Sequence, residues 1–313
     1  MQNVIQVPSV PLTLRNVNIQ SLRAIRDISL NGRSLDVDTV TATVVDSTAR
    51  VLSIAHDVPV YIRRGGTRVG VYYLTSVSQI ASNTYTLSLV SPLGRLEQIG
   101  HVGGFDNAAP AETLITEICG GVPVTVEAPF DAATVTGWLP YVSPADENGA
   151  QSGTAKDNLM KVMLALNASL WADEDGVLHV GNLDQRPVRA YDADAIFLDG
   201  YSIEHTKPVS QIILTEHSFV AAAGDASVLF NGSATARQRV IFSEPMHSLT
   251  PSGAITVAES GANYAVLDVD GGSGNGTLTG VPYLHITREL TETVAVGAAT
   301  NKVTISDASS SAC

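Results

Sequence analysis

Two short acidic runs are the best candidates for metal chemistry in this sequence. Asp173-Glu174-Asp175-Gly176 and Asp268-Val269-Asp270-Gly271 could each begin a calcium-binding loop, because Ca²⁺ prefers carboxylate oxygens and such loops turn sharply at a glycine. Neither run continues into the spaced oxygen ligands that end in a glutamate at the last position of the loop. We therefore interpret both runs as hairpin turns, and the sequence predicts no metal site and no cofactor.

Patterns typical of a catalytic centre are missing from the sequence as well. The histidines lack the His-Glu-x-x-His spacing of a zinc protease, and the serines lack the Gly-x-Ser-x-Gly turn of a hydrolase. Paired carboxylates of a glycosidase fit any acidic sequence, but aromatic residues are only 5% of the chain, which indicates no aromatic-lined cleft. The chain is therefore predicted not to be an enzyme, and a carbohydrate-active or glycan-binding β-rich protein is the alternative.

The bulk composition narrows the class of protein. Cys119 and Cys313 are too few for a disulfide framework, and Cys119 ends an apolar helical stretch, which predicts a core residue. Charged residues make up 16% of the chain, below the roughly 25% of an ordinary soluble domain. A charge fraction this low, without an apolar run long enough to cross a membrane, indicates surface that is buried against partner chains.

The net charge of −13 is spread unevenly. Residues 1–100 contain nine arginines against six acidic residues, whereas residues 101–313 contain nine basic residues against 25 acidic ones. This balance argues against general nucleic-acid binding and is compatible with docking of the front region on an acidic ring. Drift of charge between paralogous domains is the alternative explanation. Arg63, Arg64 and Arg68, around the turn Gly65-Gly66-Thr67, are the candidate subunit or tube contact, and a solvated turn is the competing interpretation.

The pattern of elements predicts three domains. Residues 1–100 contain short runs of Val, Ile, Thr and Tyr and a two-glycine hairpin turn at Gly65-Gly66, which predict a first β-barrel. Residues 101–183 are predicted to form an α+β domain with two helices and a hairpin, and residues 184–313 a second β-barrel-like domain that is cut short at the C-terminus. The predicted fold class is therefore mainly β, with two β-barrels flanking an α+β domain.

Both helices of the middle domain have recognisable ends. The first is predicted over residues 111–119, between Pro110 and Gly120-Gly121. The second begins with Thr154-Ala155-Lys156-Asp157, which resembles a capping box, and is predicted to continue to about Leu170. Its apolar residues recur on one face, which predicts that they are buried: Leu159, Val162, Met163, Leu166 and Leu170.

The order of several short motifs resembles the baseplate hub proteins of long-tailed phages. The resemblance includes the hub-like N-terminal region of tail-associated lysins and prophage relatives. Upstream of the middle domain it includes Gly70-Val71-Tyr72-Tyr73. In the middle domain it rests on Gly103-Gly104, Gly137-Trp138-Leu139-Pro140, the helix that begins at Thr154, and Asp175-Gly176. The residues that match are Gly103, Gly104, Trp138, Pro140, Leu159, Leu166, Asp175 and Gly176. The chain departs from the pattern at Thr154-Ala155-Lys156, where the family has a basic residue nearer the start of the helix.

This resemblance implies a structural role at the tip of a phage tail. A hub of this kind is a homotrimer whose tube-like barrels form a ring between the tail tube, or a distal tail ring protein, and the spike or fibre. DNA passes through its channel without specific binding, and the chain itself does not insert into a membrane. The implied location is the virion tail tip after assembly in the host cytoplasm, and a lysin domain could follow residue 313 in the natural protein.

Overall fold

The computed structural model describes residues 2–25, 37–101, 109–131, 134–135, 153–182, 210–293 and 302–309. Within them the chain is mainly β, as the sequence predicts. Buried side chains form three clusters, which lie within residues 5–89, 93–180 and 234–278. The predicted domain boundaries near residues 100 and 184 stay predictions.

The first region is one antiparallel sheet with a 3₁₀ turn at Arg50–Ser53. Its strands are β1 Asn3–Val7, β2 Leu12–Arg15, β3 Ile19–Ile25, β4 Thr39–Val45, β5 Pro59–Arg64, β6 Thr67–Ala81 and β7 Thr84–Val90. They pair in the order β2-β1-β5-β6-β7-β4-β3, so β2 and β3 are the edges of the sheet.

Period-two alternation explains which side of this sheet is buried. On β7, Tyr85, Leu87 and Leu89 are buried while the residues between them are half-buried, because neighbouring side chains of a strand point to opposite faces. The sheet curls around these side chains into a half-barrel. The closed barrel that we predicted for residues 1–100 is not confirmed. The predicted hairpin turn is confirmed, because Gly65 and Gly66 have φ angles of 60° and 88°.

The middle region packs three helices against short strands. The helices are α1 Pro92–Leu96, α2 Ala111–Cys119 and α3 Ala155–Leu166. The strands are β8 Ala109–Pro110, β9 Val124–Val126, β10 Thr134–Val135, β11 Ser169–Ala172 and β12 Leu178–Gly181. The hairpin β11–β12 is extended by β9, which runs parallel to β12, and β8 pairs with β10. Cys119 is buried in this core, as predicted, and burial raises the pKa of its thiol to about 12.

Helix α3 begins where the sequence predicts. The Thr154 hydroxyl accepts a hydrogen bond from the Asp157 backbone N–H, and the Asp157 carboxylate accepts one from the Thr154 N–H, which completes the capping box. The predicted end near Leu170 is wrong, because Asn167 adopts a left-handed conformation (φ 51°) and Leu170 lies in β11. On the predicted core face, Leu159 is fully buried whereas Leu166 is half-buried. Gly103, Gly104, Trp138 and Pro140 lie outside the described residues.

The third region contains two different β units. A three-stranded sheet pairs β13 Gln211–Val220 with β20 Leu284–Thr293 on one side and β21 Lys302–Ser309 on the other. Residues 221–283, between β13 and β20, form an inserted unit of two small sheets. Its strands are β14 Ser227–Thr235, β15 Gln238–Ile241, β16 Met246–Gly253, β17 Ile255–Gly261, β18 Tyr264–Val269 and β19 Ser273–Pro282.

The two sheets of the inserted unit share the third buried cluster. Sheet β14-β19-β16 contributes Ala234, Met246 and Leu278, and sheet β15-β18-β17 contributes Ala265 and Leu267. The sequence analysis missed β14 and β16, and it expected one barrel-like domain where the structure has a sheet and an insertion. The predicted second barrel is not confirmed, and the predicted strand at residues 202–205 lies outside the described residues.

Candidate functional site

The predicted contact residues lie at and around the turn between β5 and β6, which we call the arginine tip (residues 63–68). Its exposed Arg64 pairs in register with Asn3 of β1. Arg63 donates a hydrogen bond of 3.4 Å from Nη1 to the Gly66 carbonyl, which braces the turn. The tip therefore presents Arg64 to the outside, and its role in docking stays a prediction.

Arg68 is engaged within the chain. Its guanidinium forms an ion pair with Asp175 and lies 4.6 Å from the centre of the Tyr61 ring. Next to Asp175, Gly176 (φ 81°) packs so closely on β6 that a Cβ there would come within 2.7 Å of Val71 Cβ. The arginine tip and the turn at residues 173–176 were both singled out from the sequence. The structure joins them, so Arg68 connects the half-barrel to the middle region.

The turn at residues 173–176 is organised by one carboxylate. Asp173 accepts hydrogen bonds from the backbone N–H groups of Asp175 and Val177, both at 2.9 Å, and lies 3.0 Å from His179 Nε2. Burial raises the pKa of Asp173, but these hydrogen bonds outweigh it and hold the pKa below its usual value. Because the carboxylate is used inside the hairpin β11–β12, the interpretation of this run as a turn is confirmed.

The second acidic run is also a turn. Asp268 and Val269 end β18, and Gly271 and Gly272 have φ angles of 87° and 90° before β19 begins. In the part of the chain that the structure describes, no group of three or more His, Cys, Asp or Glu residues could hold a metal ion. No helix among the same residues is long and apolar enough to cross a membrane.

The sheet β20-β13-β21 has exposed aliphatic side chains at the end where β13 finishes and β20 begins, whereas α3 lies against its other edge strand, β21, and we call this sheet the open sheet. Cross-strand pairs place Leu214 beside Leu290 and Val220 beside Leu284, with Ile286 on the same side. Leu284 is 53% exposed, Val220 46% and Ile286 45%. None of the described buried clusters includes a residue of these three strands. Sequence analysis found β13 and β20, but it had no signal that their apolar face would remain exposed.

Charged side chains of the inserted unit lie near titratable groups of the middle region. The Tyr264 hydroxyl donates to Glu259 Oε1 at 2.8 Å, and the Arg239 guanidinium lies 4.7 Å from the centre of the Tyr264 ring. Burial and the neighbouring charge of Glu259 raise the pKa of Glu117 on α2. Burial and the charge of Arg239 lower the pKa of His101 to about 4, so this histidine is neutral near pH 7.

No protein-family model and no curated protein matches this sequence. Three solved structures are similar to the chain. A tail protein from Neisseria meningitidis is 12% identical with a TM-score of 0.47, and the match covers 68% of this chain and 63% of that one. A prophage tail protein from Listeria monocytogenes is 6% identical with a TM-score of 0.41, and the match covers 69% of this chain and 62% of that one. The 43 kDa tail protein of prophage MuSo2 from Shewanella oneidensis is 15% identical with a TM-score of 0.39, and the match covers 69% of this chain and 63% of that one. The chain thus spans less than two thirds of each structure's length. All three are tail proteins, and the assignment of this chain to a tail and to its hub stays a prediction.

Proposed function

We propose that this chain is a structural subunit of a phage-type tail, and within the tail the baseplate hub. As a homotrimer it would join the tail tube, or a distal tail ring protein, to the spike or fibre and surround the DNA channel. The observation that carries the proposal is the end of the open sheet, where the exposed aliphatic side chains of Val220, Leu284 and Ile286 are suited to burial against another chain.

Exposed aliphatic side chains in a row are costly for a protein that remains alone in water. Val220, Leu284 and Ile286 are about half exposed and contiguous on two paired strands, and contiguous apolar patches of this kind mark interaction surfaces. In addition, β20 is an edge strand of ten residues, and unpaired backbone groups along such an edge favour pairing with another chain. The face and the edge together provide the apolar surface that permanent subunit contacts require.

The half-barrel supplies the complementary surface. Its edge strands β2 and β3 are free at opposite ends of the sheet order, and its region carries the excess of arginine. In a ring, the half-barrel of one subunit would lie beside the open sheet of the next, which places weakly basic surface next to acidic surface. An acidic channel would repel DNA and allow it to slide through without sticking.

The glycan-binding alternative gains no support from the described aromatic side chains. Sugar sites commonly offer free aromatic faces, whereas Tyr61 is covered by Arg68, Tyr264 by Arg239, and Trp171 stacks on His179 with ring centres 5.7 Å apart. We therefore retain only the structural role as the proposed function.

The test is an image of assembled particles combined with a pair of matched variants. Cryo-electron microscopy is expected to find three copies of the chain around the axis at the tail tip. Ile286→Glu places a charge on the open sheet and is expected to abolish incorporation. Val228→Glu changes a residue of the inserted unit that is 64% exposed and is expected to leave incorporation intact. Six copies, a position on the outside of the tube, or equal behaviour of the two variants would contradict the hub assignment.

A further inference from the structure

Inside the curl of the half-barrel, at the end that carries the arginine tip, lies a cavity of about 340 Å³. This volume lies at the lower end of the range of small-molecule sites. Its walls are mostly aliphatic, and three polar side chains line it as well, those of Asn3, Arg64 and Tyr72. The residues that matter are Leu22, Val40, Ile62, Val69, Tyr72 and Arg64.

The Tyr72 side chain lies along the strands and lines the cavity. The residue is only 2% exposed, and its ring lies above Gly70. A Cβ at Gly70 would come within 2.7 Å of ring atom Cε2 and 3.0 Å of the hydroxyl, so the glycine makes room for the phenol. Since Gly70 pairs with Ile62, two residues before Arg64, the hydroxyl points towards the tip. Among the described residues no hydrogen bond reaches this hydroxyl, which lines the cavity and can therefore bind a polar group placed there.

Arg64 stands on the same side of the sheet at the mouth of the cavity. Val60 and Ile62 are buried on the inner face of β5, and Arg64 continues that alternation at the end of the strand. Its side chain is exposed, and among the described residues no carboxylate pairs with it. A guanidinium offers planar paired donors that match a carboxylate in both geometry and charge.

We propose that this cavity binds an apolar chain that ends in a carboxylate. The carboxylate would lie at the mouth and accept hydrogen bonds from Arg64 and the Tyr72 hydroxyl, while the apolar part fills the space between Leu22, Val40, Ile62 and Val69. Two sources share this chemistry, a medium-chain fatty acid and the C-terminal residue of a polypeptide with an apolar side chain. The site goes beyond the structural role proposed above and does not depend on it.

Calorimetric titration of the full chain distinguishes the two sources. The probes are octanoate, a short peptide that ends in a free leucine carboxylate, and the same peptide with an amidated end. The free peptide is expected to bind at least about tenfold more tightly than the amide, because the charged hydrogen bond to Arg64 is lost in the amide. Binding of octanoate as well as the free peptide would support a general carboxylate site, and binding of the free peptide alone would assign the site to polypeptide ends. Binding of octanoate alone would assign it to fatty acids.

Variants with matched controls test the assigned residues. Arg64→Gln is expected to weaken binding about tenfold, and Tyr72→Phe about threefold or more. The controls are Arg23→Gln on the opposite face of β3 and Tyr73→Phe on the opposite face of β6, both expected to change the affinity less than about twofold. Arg64 is exposed, so its replacement keeps the chain folded and the test valid even if Tyr72→Phe unfolds it. The proposal is overturned if no probe binds, or if Arg64→Gln binds as tightly as the unaltered chain.

Discussion

The half-barrel and the open sheet are both β-surfaces with one apolar side, yet they differ in what covers that side. Around the half-barrel, Leu87 and Leu89 are at most 1% exposed because the sheet curls over its own inner face. On the open sheet, Leu284 and Ile286 are about half exposed because the inserted unit, which has its own core, does not fold back over them. The difference indicates that the first region is stabilised by its own packing, whereas the exposed end of the open sheet is the surface that we propose is buried against another chain.

The largest expected effect tests this comparison directly. Leu87→Ala removes a fully buried side chain from the half-barrel and is expected to lower the free energy of unfolding by roughly 2–5 kcal/mol. Leu284→Ala on the open sheet is expected to cost less than about 1 kcal/mol in the isolated chain, since half of that side chain is already in water. Denaturant unfolding of both variants measures the two values. Equal losses of unfolding free energy in the two variants would mean that the two side chains are equally buried, which would contradict the difference between the half-barrel and the open sheet.

How far the sequence could predict these regions depends on how strongly each element is marked locally. Helix α2 was predicted with its observed bounds, because Pro110 and Gly120 mark its ends. Strands β14 and β16 were missed because they bury little. Their sequences, SVLFNGSAT and MHSLTPSG, have glycine or proline in the interior and no apolar alternation, and few of their side chains reach the core.

Contacts between distant segments were beyond the reach of local patterns. Arg68 and Asp175 were each singled out, but the ion pair between them depends on how the middle region packs on β6. Similarly, the motif Gly70-Val71-Tyr72 was recognised as part of a resemblance. Only the structure gives its physical basis, which is the close approach of the Tyr72 ring to Gly70.

The next effect concerns His101, a largely buried histidine of the middle region that lies near Arg239 of the inserted unit. The folded pKa of His101 lies at about 4, below the ordinary 6.5, so between these values the unfolded chain binds a proton that the folded chain does not. Stability is therefore expected to fall as the pH drops through this window, by up to roughly 3 kcal/mol. Glu117 works in the opposite direction, because its raised pKa favours the folded state at acid pH.

A difference measurement isolates the histidine from Glu117. The fall in unfolding free energy between pH 7 and pH 4.5 is measured for the unaltered chain and for His101→Gln, with exposed His56→Gln as the control. His101→Gln is expected to flatten the acid dependence, and His56→Gln to preserve it. If the unfolding free energy of His101→Gln falls between pH 7 and pH 4.5 as steeply as that of the unaltered chain, His101 is excluded as the source of the acid dependence.

A smaller effect is expected where the half-barrel meets the middle region. Gly176→Ala adds a Cβ at a left-handed position and against Val71, and we expect it to cost about 2 kcal/mol. Gly271→Ala is the matched control. It has a similar φ of 87° but no atom within 4 Å of the added Cβ, so only backbone strain remains. Thermal unfolding of both variants measures the loss of stability. A larger loss for Gly176→Ala than for Gly271→Ala reports the packing at this junction, and equal losses would mean that the packing of Gly176 on Val71 adds nothing to stability.

The smallest effect is expected from the ion pair beside that glycine. Arg68 and Asp175 are 30% and 65% exposed, so solvent screens their attraction, and a double-mutant cycle with Arg68→Gln and Asp175→Asn is expected to give a coupling below about 1 kcal/mol. The coupling is expected to weaken further in 1 M salt, where charges are screened over about 3 Å. Arg68→Gln alone is expected to cost more than the coupling, because it also removes the contact with the Tyr61 ring. A coupling well above 1 kcal/mol that persists in salt would mean that the charges, and not the packing of Gly176 on Val71, hold the half-barrel on the middle region.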